Sequence, residues 1–219
     1  MKIAVIGATG FVGRALVVEF INQHFDVIAI ARETEKLNLN SKKLTKVAID
    51  IMNIDELANV LKEVDAVVSA FNAGWQNPNL YEDFTKGAIA IEKAVEKSKV
   101  KRFIMIGGAG SLYLDDNKTQ IVDTPEFPTF IYAGATAVRD YYKNYLSKNT
   151  VLDWSFFSPA IEMHQGTSGN RKGSYRLGEK NPVFDEFGKS ILSVEDLALV
   201  IADELKNNRY IRKQFTAAY

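Results

Sequence analysis

Four apolar residues, Ile3, Ala4, Val5 and Ile6, run directly into Gly7-Ala8-Thr9-Gly10-Phe11-Val12-Gly13, after which apolar residues recur at helical spacing as far as Phe20. Few folds place three evenly spaced glycines between a buried strand and a helix. Gly7 permits a tight turn, Gly10 lets the backbone approach a phosphate, and Gly13 lets the helix pack closely on the strand. The helix N-terminus adds free N–H donors and the positive end of its dipole, and Thr9 offers a hydroxyl. A glycine turn serving chain reversal alone is the competing reading, but a turn directly after the first strand and opening the first helix has the context that pyrophosphate binding requires.

The rest of the chain agrees with an α/β fold. Short, β-branched apolar runs occur at residues 3–6, 27–31, 46–49, 66–70, 103–106 and 154–157. They are nearly continuous in apolar character, as a parallel sheet covered on both faces requires. Helical patterns lie between them at 11–20, 53–64 and 80–98, the second opened by Asn53 with Glu56 three positions on, similar to a capping box. The order predicts a doubly wound parallel sheet with its ligand crevice beyond the carboxyl ends of the strands. Beyond Pro159 the texture turns polar, with short irregular strands expected at 174–177 and 183–184. Residues of about 160–192, with the C-terminal tail, read as a small lid-like substrate region on one domain spanning 1–219. Ser193, with Asp196 three positions on, opens a last helix over 197–205, and a final strand is expected at 214–217.

The 27 basic and 27 acidic side chains cancel, so no electrostatic footprint points to nucleic acid. No run approaches the roughly 20 apolar residues of a membrane span. With no cysteine and two distant histidines, neither a disulfide framework nor a metal site is expected, and a cytoplasmic setting is the expectation.

The end of the second strand selects between dinucleotides, because a basic residue there pairs with a 2′-phosphate and an acidic one accepts from the ribose 2′-OH. Arg32 favours NADP(H). Glu33 follows it, so NAD(H) is retained as the alternative. Topology puts Asp50 near the adenine edge, although a turn residue is an equal reading, and puts 69–74 near the ribose of the nicotinamide.

These motifs resemble the atypical short-chain dehydrogenase/reductase superfamily, in particular its NmrA-like and NAD(P)H-flavin reductase-like members, which relate to the NAD-dependent epimerases and dehydratases and share the NAD(P)-binding Rossmann fold. The resemblance spans the chain and rests on the glycine turn, on Arg32, on Ser69-Ala70-Phe71-Asn72, on Gly107-Gly108-Ala109-Gly110-Ser111 and on Ser193-Val194-Glu195-Asp196-Leu197-Ala198. It implies dinucleotide contacts from Gly7, Thr9, Gly10, Phe11, Val12 and Arg32, with Ala70 and Phe71 beside the cofactor ribose. The superfamily's Tyr-x-x-x-Lys pair does not carry over. Tyr132 is followed four residues on by Thr136, Tyr141 by Tyr145, Tyr142 by Leu146 and Tyr145 by Asn149. Gly107 and Gly108 stand where the usual serine would be, and without Cβ atoms they would allow a flat nicotinamide close to the backbone, a flexible loop being the other reading.

Ser111, Tyr132 and His164 remain as candidate catalytic side chains. His24, near a helix end, reads as a cap or a solvated residue. Phe71, Trp75, Tyr81 and Phe84 either wall a pocket for a planar substrate or pack a helix onto the sheet. The cluster of Tyr141, Tyr142 and Tyr145 reads as a half-buried helix face or a self-association surface, in a monomer or homodimer. The leading expectation is hydride transfer from NADPH to a small carbonyl, quinone or flavin-like acceptor. A noncatalytic NmrA-like redox sensor, and a nucleotide-sugar epimerase or dehydratase, are the alternatives.

Overall fold

A computed structural model describes residues 1–114 and 118–219. Eight strands form one sheet in the order β3-β2-β1-β4-β5-β6-β8-β7. They are β1 (Lys2–Ile6), β2 (Asp26–Ala31), β3 (Leu44–Ala48), β4 (Ala66–Ser69), β5 (Arg102–Ile106), β6 (Asp153–Ser158), β7 (Arg176–Gly178) and β8 (Lys213–Ala218). Every pairing is parallel except that of β7 with β8. The helices are α1 (Phe11–Asn22), α2 (Ile54–Leu61), α3 (Leu80–Ser98), α4 (Thr129–Asn144) and α5 (Val194–Asn207).

Successive strand residues feed opposite faces. Ile3 and Val5 of β1, with Val27, Val68, Ile104 and Phe157, join a core capped by α1 and α5. Ala4 and Ile6, with Ile28, Val67, Met105 and Phe156, join a second core beneath α2, α3 and α4. Burial on both faces explains why the strands read as apolar runs rather than alternating ones.

Several boundaries differ from the sequence reading. β4 ends at Ser69; Ala70 N still donates to Ile6 O, one residue past the strand end. Residues 183–184 form no strand. Val183 packs its side chain against Gly178 and the first core instead of pairing its backbone. The short strand expected at 174–177 lies at Arg176–Gly178. Of helix α4, the sequence reading anticipated only the C-terminal end, as the helix face of the tyrosine cluster. The capping expectations agree with the structure: the Asn53 side chain accepts from Glu56 N, and the Ser193 side chain from Asp196 N.

Candidate functional site

The sheet order reverses between β1 and β4, opening the crevice where the glycine turn stands. Gly7 adopts a positive φ of 79°, and a Cβ there would lie 2.6 Å from Ala70 O. A Cβ on Gly13 would lie 2.1 Å from Gly7 O, so the first turn of α1 sits directly on the strand exit. Gly10 is the N-cap of α1 and offers no side-chain cap, leaving the first amides of the helix to an outside acceptor. The turn therefore has the bare backbone and the donors that a pyrophosphate requires.

Arg32 follows β2, is exposed, and its side chain makes no hydrogen bond or ion pair among the described residues. The Glu33 carboxylate is taken by Lys36 Nζ at 2.9 Å. Of the two neighbours that the sequence leaves in competition, the cation is free and the anion is engaged. Asp50 forms the turn into α2, its Oδ1 accepting from Met52 N at 3.0 Å. Phe71 brings only its backbone toward Gly7. Its ring stacks on Phe84 at 5.8 Å and fills the space where Gly87 of α3 lacks a Cβ.

At the exit of β5, the two glycines differ. A Cβ on Gly107 would collide with the Phe156 ring at 2.3 Å, whereas at Gly108 nothing lies within 4 Å. Ser111 is buried, its Oγ has no partner, and its carbonyl accepts from Gln120 and Gln214. Gln214 Nε2 also donates to Ser158 Oγ at the end of β6, tying the two strand exits together. Tyr132 is half exposed on the first turns of α4, edge-on to Phe127. Thr136, at the step where a lysine would stand, donates back to Tyr132 O. His164 begins a 3-10 turn after β6, and its Nδ1 accepts from Gly166 N. No hydrogen bond joins Ser111, Tyr132 and His164, so these side chains form no proton relay among the described residues.

A family model for NAD(P)H-binding proteins matches residues 7–208, from the glycine turn through α5. The chain belongs to this NAD(P)H-binding family. Its cofactor is accordingly a nicotinamide dinucleotide. The chain is similar to the uncharacterised protein YwnB of Bacillus subtilis, 34% identical over 99% of this chain and 97% of that protein. It is also similar to a solved structure from Bacteroides thetaiotaomicron described as a candidate epimerase, 40% identical with a TM-score of 0.90, covering 100% of this chain and 96% of the other. A Streptococcus pneumoniae structure described as a candidate NADH-flavin reductase is 30% identical with a TM-score of 0.87, covering 100% and 99%. No helix among the described residues is long and apolar enough to cross a membrane.

Within the family frame, two supporting residues escaped the sequence reading. Arg14 donates through Nε to Thr9 O and through a terminal nitrogen to Lys36 O, joining the phosphate turn to the segment behind Arg32. Lys36 occupies Glu33. The signal for the second was present, since Glu33 and Lys36 stand three residues apart after a strand. The tyrosine cluster is a half-buried face: Tyr141 is buried, Tyr142 stacks on Phe156 at 4.3 Å, and Tyr145 stacks on Tyr141. Trp75 packs on Gly134 of α4 and stays partly exposed.

Proposed function

We propose that this protein is a reductase that uses NADPH to deliver hydride to a small planar acceptor, a flavin, quinone or carbonyl compound. The observation that carries the reading is the open backbone at Gly108, next to the buried Ser111, in a chain where Tyr132 has no lysine four residues on. The bound dinucleotide supplies the hydride. The chain binds its pyrophosphate on the turn from Gly7 to Gly13, receives a 2′-phosphate on Arg32, and holds the ribose near the backbone of Ala70 and Phe71. Gly108 leaves one face of the site free for a flat acceptor to lie in line for transfer. A flavin or quinone takes its proton from water, so this chemistry needs no tyrosine and lysine pair. An epimerase needs a protein acid and base, which the placement of Ser111, Tyr132 and His164 does not favour. A cytoplasmic setting, where reduced dinucleotides are regenerated, fits the reading.

The test is a fluorescence titration with NADPH and NADH, followed by absorbance as flavin, quinone and carbonyl acceptors are added. Tight NADPH binding with acceptor-dependent oxidation is expected. Binding without turnover would favour a redox sensor, and no binding of either nucleotide would overturn the proposal. Arg32→Glu is expected to weaken NADPH strongly and leave NADH little changed; equal loss of both would remove Arg32 from the 2′-phosphate.

A further inference from the structure

We infer that Lys36 sets the preference between the two dinucleotides indirectly, by holding the Glu33 carboxylate off Arg32, and that Arg14 fixes the turn on which this pair sits. Lys36 is a positioning residue in this assignment. The inference rests on the proposed role of Arg32 as the 2′-phosphate partner.

Arg32 and Glu33 leave β2 side by side. An unengaged Glu33 would have two uses, and both would favour the cofactor without the extra phosphate. It would neutralise the adjacent guanidinium, or it would accept from a ribose 2′-OH. Lys36 removes both uses. Residues three apart in a 3-10 turn stand nearly eclipsed, and the turn Thr34–Lys36 brings Lys36 Nζ to 2.9 Å from Glu33 Oε1. The turn is anchored on its inner side, because Thr34 and Leu37 are buried and Leu37 N donates to Thr34 O at 3.0 Å. Arg14 holds its far end, with 2.6 Å from a terminal nitrogen to Lys36 O and 2.9 Å from Nε to Thr9 O. One side chain thus ties the glycine turn to the turn that follows Arg32. The result is a free arginine beside a glutamate that is already paired.

Both members of the pair are more than half exposed, so the coupling is modest. A double-mutant cycle read by ligand affinity suits it, with NADPH and NADH dissociation constants measured for the full chain. Lys36→Met is expected to weaken NADPH about two- to fivefold while NADH is unchanged or tightened. Adding Glu33→Gln is expected to return NADPH affinity to within about twofold of the starting protein, because Lys36 acts through the carboxylate. A double variant no better than Lys36→Met would mean that Lys36 touches the phosphate itself, and would overturn the inference. So would an unchanged ratio of the two affinities in Lys36→Met. Arg32→Ala in the same series separates the two levels. If it shifts the ratio and Lys36→Met does not, only the present inference fails; if neither shifts it, the phosphate role of Arg32 fails first. Thermal melts of each variant report folding, and these exposed side chains are expected to leave it intact.

Discussion

At Gly107 the volume of a Cβ is already filled by the Phe156 ring, and one residue later, at Gly108, it is empty. The two positions therefore separate packing from function. Gly107→Ala is expected to cost about 1–3 kcal/mol in urea denaturation, because the ring and the strand exit have to move apart. Gly108 has a φ of −139° that any residue accepts, so Gly108→Ala is expected to leave stability unchanged or raise it by up to about 1 kcal/mol. Turnover with a planar acceptor should nevertheless fall, since the new methyl would stand where the acceptor lies; full activity in Gly108→Ala would move the acceptor elsewhere. At this scale the sequence was most informative where a backbone constraint dictates the residue. The glycines at 7 and 13 were legible because a Cβ is excluded there. Phe71 and Asp50 were legible only as positions near the crevice: the ring of the first turns into α3, and the carboxylate of the second closes a turn, choices made by packing and local hydrogen bonding.

Helix α4 was legible only at its tyrosine-rich end, for an opposite reason. Its N-cap is Pro128, with no side-chain cap and no acidic residue in the first turn, it contains Gly134, and its burial comes from tertiary partners such as Phe84, which meets Tyr141 edge-on at 6.4 Å. The polar segment after β6 was legible as a change of texture, but its docking was not. Arg171 reaches Glu19 in α1 at 2.7 Å, and the backbone amides of Lys172 and Gly173 donate to Asp196 in α5. Residues 168–169 bind Glu195 through Ser168 Oγ and Gly169 N. Burial raises the Glu195 carboxyl, but the hydrogen bonds that it accepts, from Gly169 N first and also from Ser168 Oγ, outweigh it, and the group sits below its ordinary value of 4.5. A lowered carboxylate stabilises the fold above its unfolded value and loses that contribution as pH falls through the folded one. The Gly169 amide resonance is therefore expected to titrate with a midpoint below 4.5, and Glu195→Gln should abolish that titration. A midpoint at or above the ordinary value would mean that the loop is held by other contacts.

Across the whole molecule, one ion pair ties β5 and β6 to α5 and to the chain entering β8. Arg102 of β5 meets Glu204 of α5 at 2.7 Å and also donates to Ser155 Oγ in β6, while Glu204 accepts from the amides of Arg209 and Tyr210 ahead of β8. Burial pushes the Arg102 guanidinium down to about 10 against the pull of Glu204 and Asp153, so it stays charged at neutral pH and depends on its partner. Glu204→Gln is expected to destabilise by about 3 kcal/mol in urea denaturation, since it leaves a buried cation without its hydrogen-bonded anion. A loss under about 1 kcal/mol would show that water already reaches the pair. The same sheet carries a consequence in time. Contacts that seat β1 beside β4, β5 beside β6 and β6 beside the chain entering β8 join residues 63, 51 and 55 positions apart. Pairings of such range form late, and strands apolar on both faces stay adhesive until helices cover them. The recovery of native protein from the unfolded chain is thus expected to turn on a race between completing the sheet and clumping with other copies, so that refolding yield should rise on dilution.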